Sequence, residues 1–211
     1  MIKDILLYYS SNGAYVLEQV IRHFLMAFYG VSLAILVSVP AGFALTRIKN
    51  ETISQSIMRI TNVIQTIPAL AMLSLLIIVV GFGPNTVVVA VFLYSILPIV
   101  KNTYTGVKNV DENVLDVAKA MGMTHSQILF KVELPLSISM ILGGIRNALV
   151  LAIGVAAVGT FIGAGGLGDI ISRGLNVSDG SAIVWAGALP TALMALLIDL
   201  ILGQVEKRLV R

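Results

Sequence analysis

The sequence predicts an all-α, polytopic membrane protein with five transmembrane helices in a single domain, residues 1–211, and three observations support that class. Of its residues, 57% are apolar and only 12% are charged, against about 25% charged in an ordinary soluble domain; mean hydropathy is +0.96. The apolar residues fall in runs close to the ~20 that a helix needs to cross the hydrocarbon core. Lys and Arg collect on one side of those runs, the asymmetry that orients a membrane protein.

Residues 1–23 read as an outer amphipathic segment. Ile2, Ile5, Leu6 and Tyr9 recur at helical spacing, as do Val16, Leu17, Val20, Ile21 and Phe24, with Ser10-Ser11-Asn12-Gly13 between the two groups. Such pieces lie along the membrane interface or pack across the bundle. The first long apolar run starts near Phe24 with no small-residue cleavage site after it, so no secretory signal is expected. The first span is residues 24–45, ending at Arg47 and Lys49. Residues 60–100 carry no charge and are too long for one helix; Gly81-Phe82-Gly83-Pro84-Asn85 divides them. This yields a second span at 60–80 and a third at 86–100. The fourth is 137–161 and the fifth 182–202. Of the 14 basic residues, Lys3, Arg22 and Arg173 fall on one side, Arg146 lies within a span, and the rest, from Arg47 to Arg211, fall on the other. The basic side is cytoplasmic by this rule, which puts the N-terminus outside and the C-terminus inside. Trp185 suits the outer aromatic belt.

Residues 102–135 form a polar island on the basic side. Asp111 is a good N-cap and Glu112 places negative charge in the first turn, where the helix dipole favours it. Asn113 to Met121 is compatible with helix, and Gly122 can take the left-handed conformation that ends one. Thr124, with Gln127 three residues on, is a capping box that starts a second helix. Ile128, Leu129 and Val132 make its apolar stripe, and Leu134-Pro135 closes it before the fourth span.

The island resembles a motif of the membrane subunits of ABC importers that use a separate binding protein: Glu-Ala-Ala, three residues, Gly, nine residues, then Ile-x-Leu-Pro. The chain has Asp116-Val117-Ala118, Gly122, Val132, Leu134 and Pro135 at that spacing, with Asp for Glu, Val for the first Ala and Val for Ile. Gln65-Thr66-Ile67-Pro68-Ala69-Leu70, Leu93-Tyr94-Ser95-Ile96-Leu97-Pro98 and Phe161-Ile162-Gly163-Ala164-Gly165-Gly166-Leu167-Gly168 are similar to the osmoprotectant permeases, which import glycine betaine, carnitine and choline. Methionine-importer permeases are a near relative and an alternative. The resemblance implies a type I ABC importer permease fold with cytoplasmic coupling helices in a bacterial cell membrane. It also implies that Asp116, Val117, Ala118, Gly122, Thr124, Val132, Leu134 and Pro135 couple to the ATPase. The implied partners are two ATPase subunits that bind ATP and Mg, a second permease subunit, identical or paralogous, and an extracellular substrate-binding protein.

Other residues point elsewhere or nowhere. Gly163 to Gly168 matches a dinucleotide fingerprint, but that fingerprint needs a soluble strand before it; a turn with close backbone packing is the expectation here. No Gly-x4-Gly-Lys-Ser/Thr loop occurs, so ATP hydrolysis by that route belongs to a partner. There are no cysteines for thiolate chemistry, and neither histidine, His23 or His125, has a partner at ligand spacing. A net charge of +3, sorted by membrane side, leaves no nucleic-acid footprint; no cofactor is expected in the chain. Pro68, Tyr94, Pro98, Arg146 and Asp199 are candidates for the pathway, the prolines as kinks and the two charges as intramembrane groups. Arg146 can equally snorkel to the inner leaflet, and Asp199 can pair with a basic residue. A carrier driven by an ion gradient through Asp199 is the alternative of a different class.

Overall fold

The computed structural model describes residues 1–48 and 50–209; Lys49 and Arg211, counted above in the charge asymmetry, lie outside them. Among the described residues every regular element is helical. In chain order these are α1 (Ile2–Arg47), α2 (Glu51–Thr66), α3 (Ala69–Val80), α4 (Pro84–Lys108), α5 (Glu112–Ala120), α6 (His125–Ile128), a π-turn at Leu129–Glu133, α7 (Leu134–Val158), a 3-10 turn at Gly159–Ile162, α8 (Leu167–Leu175) and α9 (Ser181–Leu209). Four helical stretches are long and apolar enough to cross a membrane, or five if α2 and α3 count as one broken span.

The outer segment divides where expected, into two helical pieces that meet at a kink, and the second piece runs straight on into the first span. Ser10 to Gly13 is a kink, with Asn12 off the helical well at φ −125° and ψ 19° and its side-chain amide donating to the Tyr8 carbonyl at 3.2 Å. At 1.5 Å per residue α1 runs about 70 Å, twice the hydrocarbon thickness. Its N-terminal part lies on α8 and α9, where Tyr9 donates to the Ala186 carbonyl at 3.0 Å and Tyr15 to Asp169.

The second span is not straight. α2 and α3 meet at 98°. Pro68 has no N–H, and the residue before a proline is pushed out of the helical region; Ile67 accordingly sits at φ −69° and ψ 127°. Helix α2 begins at Glu51, after Asn50, whose side chain caps it by accepting from the Thr52 amide at 3.0 Å, and so includes polar residues before 60. The third span, α4, starts at Pro84 and continues past Val100 to Lys108.

The helix of the polar island does not close at Leu134-Pro135. It runs without interruption from His125 to Ile162, 38 residues, through the π-turn. Pro135 cannot donate to the carbonyl four residues back. The wider turn absorbs this: the Leu134 amide bonds the Leu129 carbonyl, five residues back, and Pro135 enters α7 in its first turn. The fourth span thereby gains a stem that extends it past its apolar run.

Helix α4 is central, packed between α1 and α7. Ala27, Val31 and Ala34 of α1 meet Val87, Ala90 and Val91 of α4, with Ala148, Ala152 and Ala156 of α7 completing the core. Small side chains let backbones approach without a large apolar solvent effect between helices. At Gly144 a Cβ would stand 2.7 Å from the Pro98 carbonyl oxygen, so glycine is what permits the α4–α7 crossing.

Candidate functional site

The connection from α5 to α6 is built from local rules. The Asp111 carboxylate accepts from the Asn113 amide at 2.9 Å and starts α5. Gly122 ends it at φ +76°. Its amide donates to the Lys119 carbonyl at 2.9 Å, and the Met123 amide to the Ala118 carbonyl at 3.2 Å, the paired bonds of a Schellman cap. Thr124 and Gln127 form the expected capping box: the Thr124 amide donates to the Gln127 side chain at 2.8 Å, and the Gln127 amide donates to the Thr124 hydroxyl at 3.4 Å. The result is two short helices set at a defined angle on the end of the α7 stem.

Helix α5 buries Ala118 and leaves an apolar stripe on the adjoining face exposed. Val114, Val117 and Met121, at i, i+3 and i+7, are 42%, 60% and 77% exposed. An apolar stripe on a helix beyond the spans, left exposed among the described residues, marks an interaction surface. Asp116 lies beside it and is held by Lys119 at 2.9 Å. Asp116, Val117, Gly122 and Thr124 are therefore exposed at the tip, whereas Val132 and Leu134 are half-buried in the stem and Pro135 is exposed there. The eight motif positions thus divide between a tip and a stem.

The stem carries a contact that sequence reasoning missed. Glu133 is 2% exposed and its carboxylate is paired with Arg47 at the end of α1. The available signal was an acid inside the apolar stripe of Val132 and Leu134, because a carboxylate is almost never buried without a partner.

Pro68 and Tyr94 come together. The Tyr94 hydroxyl donates to the Ile67 carbonyl, and the Gln65 side-chain amide donates to the Tyr94 carbonyl at 2.8 Å. This reciprocal pair fixes the α2–α3 bend onto α4. Replacing Tyr94 with phenylalanine removes one of the two bonds; about 1 kcal/mol of stability is expected to be lost, read as a lowered thermal midpoint with near-normal expression. An unchanged midpoint would show that the bend holds itself. Pro98 lies a turn further along α4, its carbonyl accepting from the Asn102 side chain at 2.8 Å. Beside it, an open cavity of about 290 Å3 between α2 and α4 is lined by Gln55, Met58, Arg59, Asn62, Leu97 and Lys101.

Arg146 and Asp199 also come together. Arg146 Nε is 3.2 Å from Asp199 and Nη1 is 3.2 Å from Glu206, which links α7 to α9. The Asp199 contact is one of charge, since Nε makes no aligned hydrogen bond. Far from this network, α1 cradles the Gly-rich turn. Gly163, Gly165 and Gly166 all have positive φ. The Gly166 amide donates to the Gln19 side chain at 2.8 Å, and the Leu167 amide to His23 Nδ1 at 3.2 Å. With Nδ1 accepting, His23 Nε2 is the donor to the Ile153 carbonyl at 3.0 Å. His23 is therefore a buried clamp between α1, α7 and α8, a role its isolation in sequence concealed. His125 stands exposed at the start of α6.

Residues 22–211 match the sequence profile described as "Binding-protein-dependent transport system inner membrane component". The chain belongs to this permease family. Its relatives within the family are close. A carnitine transport permease protein of Listeria monocytogenes is 56% identical over 99% of this chain and 92% of its own length. A glycine betaine/carnitine/choline transport system permease protein of Bacillus subtilis is 55% identical over 96% and 87%, and a choline transport system permease protein of the same organism is 51% identical over 99% and 92%. Among solved structures, inward-facing MetNI methionine ABC transporter matches with a TM-score of 0.82 over 93% of this chain and 97% of its own, at 20% identity. That likeness establishes the type I importer permease fold, and the protein is a multi-pass membrane component of it.

Proposed function

We propose that this chain is the permease subunit of an ATP-driven importer of quaternary-ammonium osmoprotectants, glycine betaine, carnitine or choline, in a bacterial cell membrane. The observation that carries the reading is the exposed Val114–Val117–Met121 stripe on α5, presented beside Asp116 at the motif's spacing. It supplies the apolar knob that a groove on a soluble ATPase would receive. Relatives above 50% identity named for these substrates support the substrate class. Partner ATPases would bind ATP with Mg and supply the energy of hydrolysis. The chain's own part is mechanical: α5 and α6 receive displacement, the α6–α7 stem carries it, and the bend at Pro68 and the α4 and α7 helices around it shape the pathway. A second permease, identical or paralogous, completes the pathway, and an outer binding protein delivers the ligand. In that arrangement the N-terminus is outside and the C-terminus cytoplasmic. The aromatic cage that holds a quaternary ammonium belongs to the binding protein.

Gentle affinity purification from native membranes, followed by quantitative mass spectrometry and uptake assays with labelled betaine and choline, tests the reading. Stoichiometric recovery of an ATPase and a binding protein, with uptake that survives collapse of ion gradients, is the expected result. Recovery of the chain alone, with uptake that follows an ion gradient, would replace it with the Asp199 carrier.

A further inference from the structure

Two adjoining cavities open on the outer face of the α1–stem junction, and they differ in polarity. The first, about 390 Å3, is lined almost wholly by apolar groups, among them Val39, Pro40, Phe43 and Ala44 of α1 and Leu134 of the stem. The second, about 530 Å3, is also mainly apolar but brings in the polar side chains of His125 and Ser126. Arg47, Leu129 and Phe130 line both, so the two are one continuous slot. Pro40, Phe43, Ala44 and Arg47 fall on one face of α1, which gives an apolar trough of about 10 Å that ends at a guanidinium. Only Nη2 of Arg47 is used by Glu133; the fork has five N–H donors, which leaves others for a second anion. Ser126 adds a hydroxyl and His125 an imidazole at the same level.

The geometry points to a binding site for one phospholipid molecule of the bilayer, its acyl chain in the trough and its phosphate on Arg47, His125 and Ser126. The complementarity decides the occupant: a long apolar tail capped by an anion is what the slot matches, and Arg is the side chain best shaped for phosphate. A peptide segment would bring backbone polar groups into a trough that offers them no partners. The site touches both helices joined by the Arg47–Glu133 pair, so its occupant is placed to brace the stem. It does not depend on the transported substrate.

The test uses the full-length chain, with whatever subunits co-purify, exchanged into nanodiscs of phosphatidylglycerol and phosphatidylcholine and released into detergent for native mass spectrometry. One retained phospholipid per chain is expected. Ala44→Trp fills the trough and Ser126→Asp sets a negative charge against the phosphate; each should reduce retention at least fivefold. Leu196→Trp, on the exposed face of α9, should leave it unchanged, and circular dichroism melts confirm that all three variants fold. Loss of retention in the α9 variant to the same degree, or unchanged retention in both slot variants, would mean a non-specific lipid annulus and overturn the proposal. So would absence of lipid from the wild-type complex, because a co-purified subunit would then be covering the slot.

Discussion

Arg47→Ala is expected to be the most damaging single change described here. It takes from the Glu133 carboxylate, 2% exposed, the guanidinium paired with it. Removing one partner of a buried pair costs about 3–5 kcal/mol. Most of this cost is desolvation of Glu133 rather than lost Coulomb attraction, because Arg47 is itself 54% exposed and screened. The companion change Glu133→Leu should be milder, since it leaves a half-exposed guanidinium that water can reach. The double variant Arg47→Ala, Glu133→Leu should recover most of the stability. Thermal unfolding of the purified protein checks the series. A single Arg47→Ala variant that melts with the wild type would show that the pair contributes nothing.

The second large effect is expected at Gly122. With φ at +76° and nothing within 4 Å of an added Cβ, the penalty there is conformational and not steric. An ordinary L-residue in this region costs about 1–2 kcal/mol, and a β-branched side chain fits it worst. Helix α5 has only nine residues and little burial to hold its end in place. Gly122→Val should therefore loosen the Schellman cap, raise amide exchange at Lys119, Ala120 and Met123, and lower uptake at least tenfold. Gly122→Asn, which tolerates positive φ, should keep most of it. Wild-type uptake by the valine variant in a fully assembled complex would remove Gly122 from the coupling role.

What could be read from sequence was whatever local chemistry decides. The Asp111 cap, the Gly122 terminator and the Thr124–Gln127 box each depend on residues within a few positions of one another, and the structure has all three. The apolar runs of α4, α7 and α9 were visible for the same reason. The α2–α3 bend escaped because hydropathy sees that residues 60–80 are apolar but not that the helix feeding them is polar and begins at Glu51. Pro68 was noticed as a kink, and its 98° consequence depends on Tyr94 and Gln65 holding the turn from another helix. Glu133 and Gln19 were overlooked, and the role of His23 was missed, because their partners lie 86, 147 and 130 to 144 residues away. Helix α8 was hidden by the Gly-rich stretch before it, which reads as a turn and gives no hint that Leu167 and Ile170 will be buried beneath α1. For the proposed pathway pair, sequence supplied two intramembrane charges, and the structure adds that Arg146 is shared between Asp199 and Glu206.

The stem and fourth span, continuous from His125 to Ile162, are bolted to α1 at two widely separated points. One is Arg47 on Glu133 near one end, and the other is His23 on the Ile153 carbonyl near the opposite end. Two rods fastened at two separate points make a stiff frame: sliding or rolling of one along the other breaks a fastening. Both fastenings oppose slippage between the two helices. Under the proposed coupling, a displacement delivered at α5 would swing the frame as a whole, and the Gly-rich turn hung from Gln19 and His23 would travel with it.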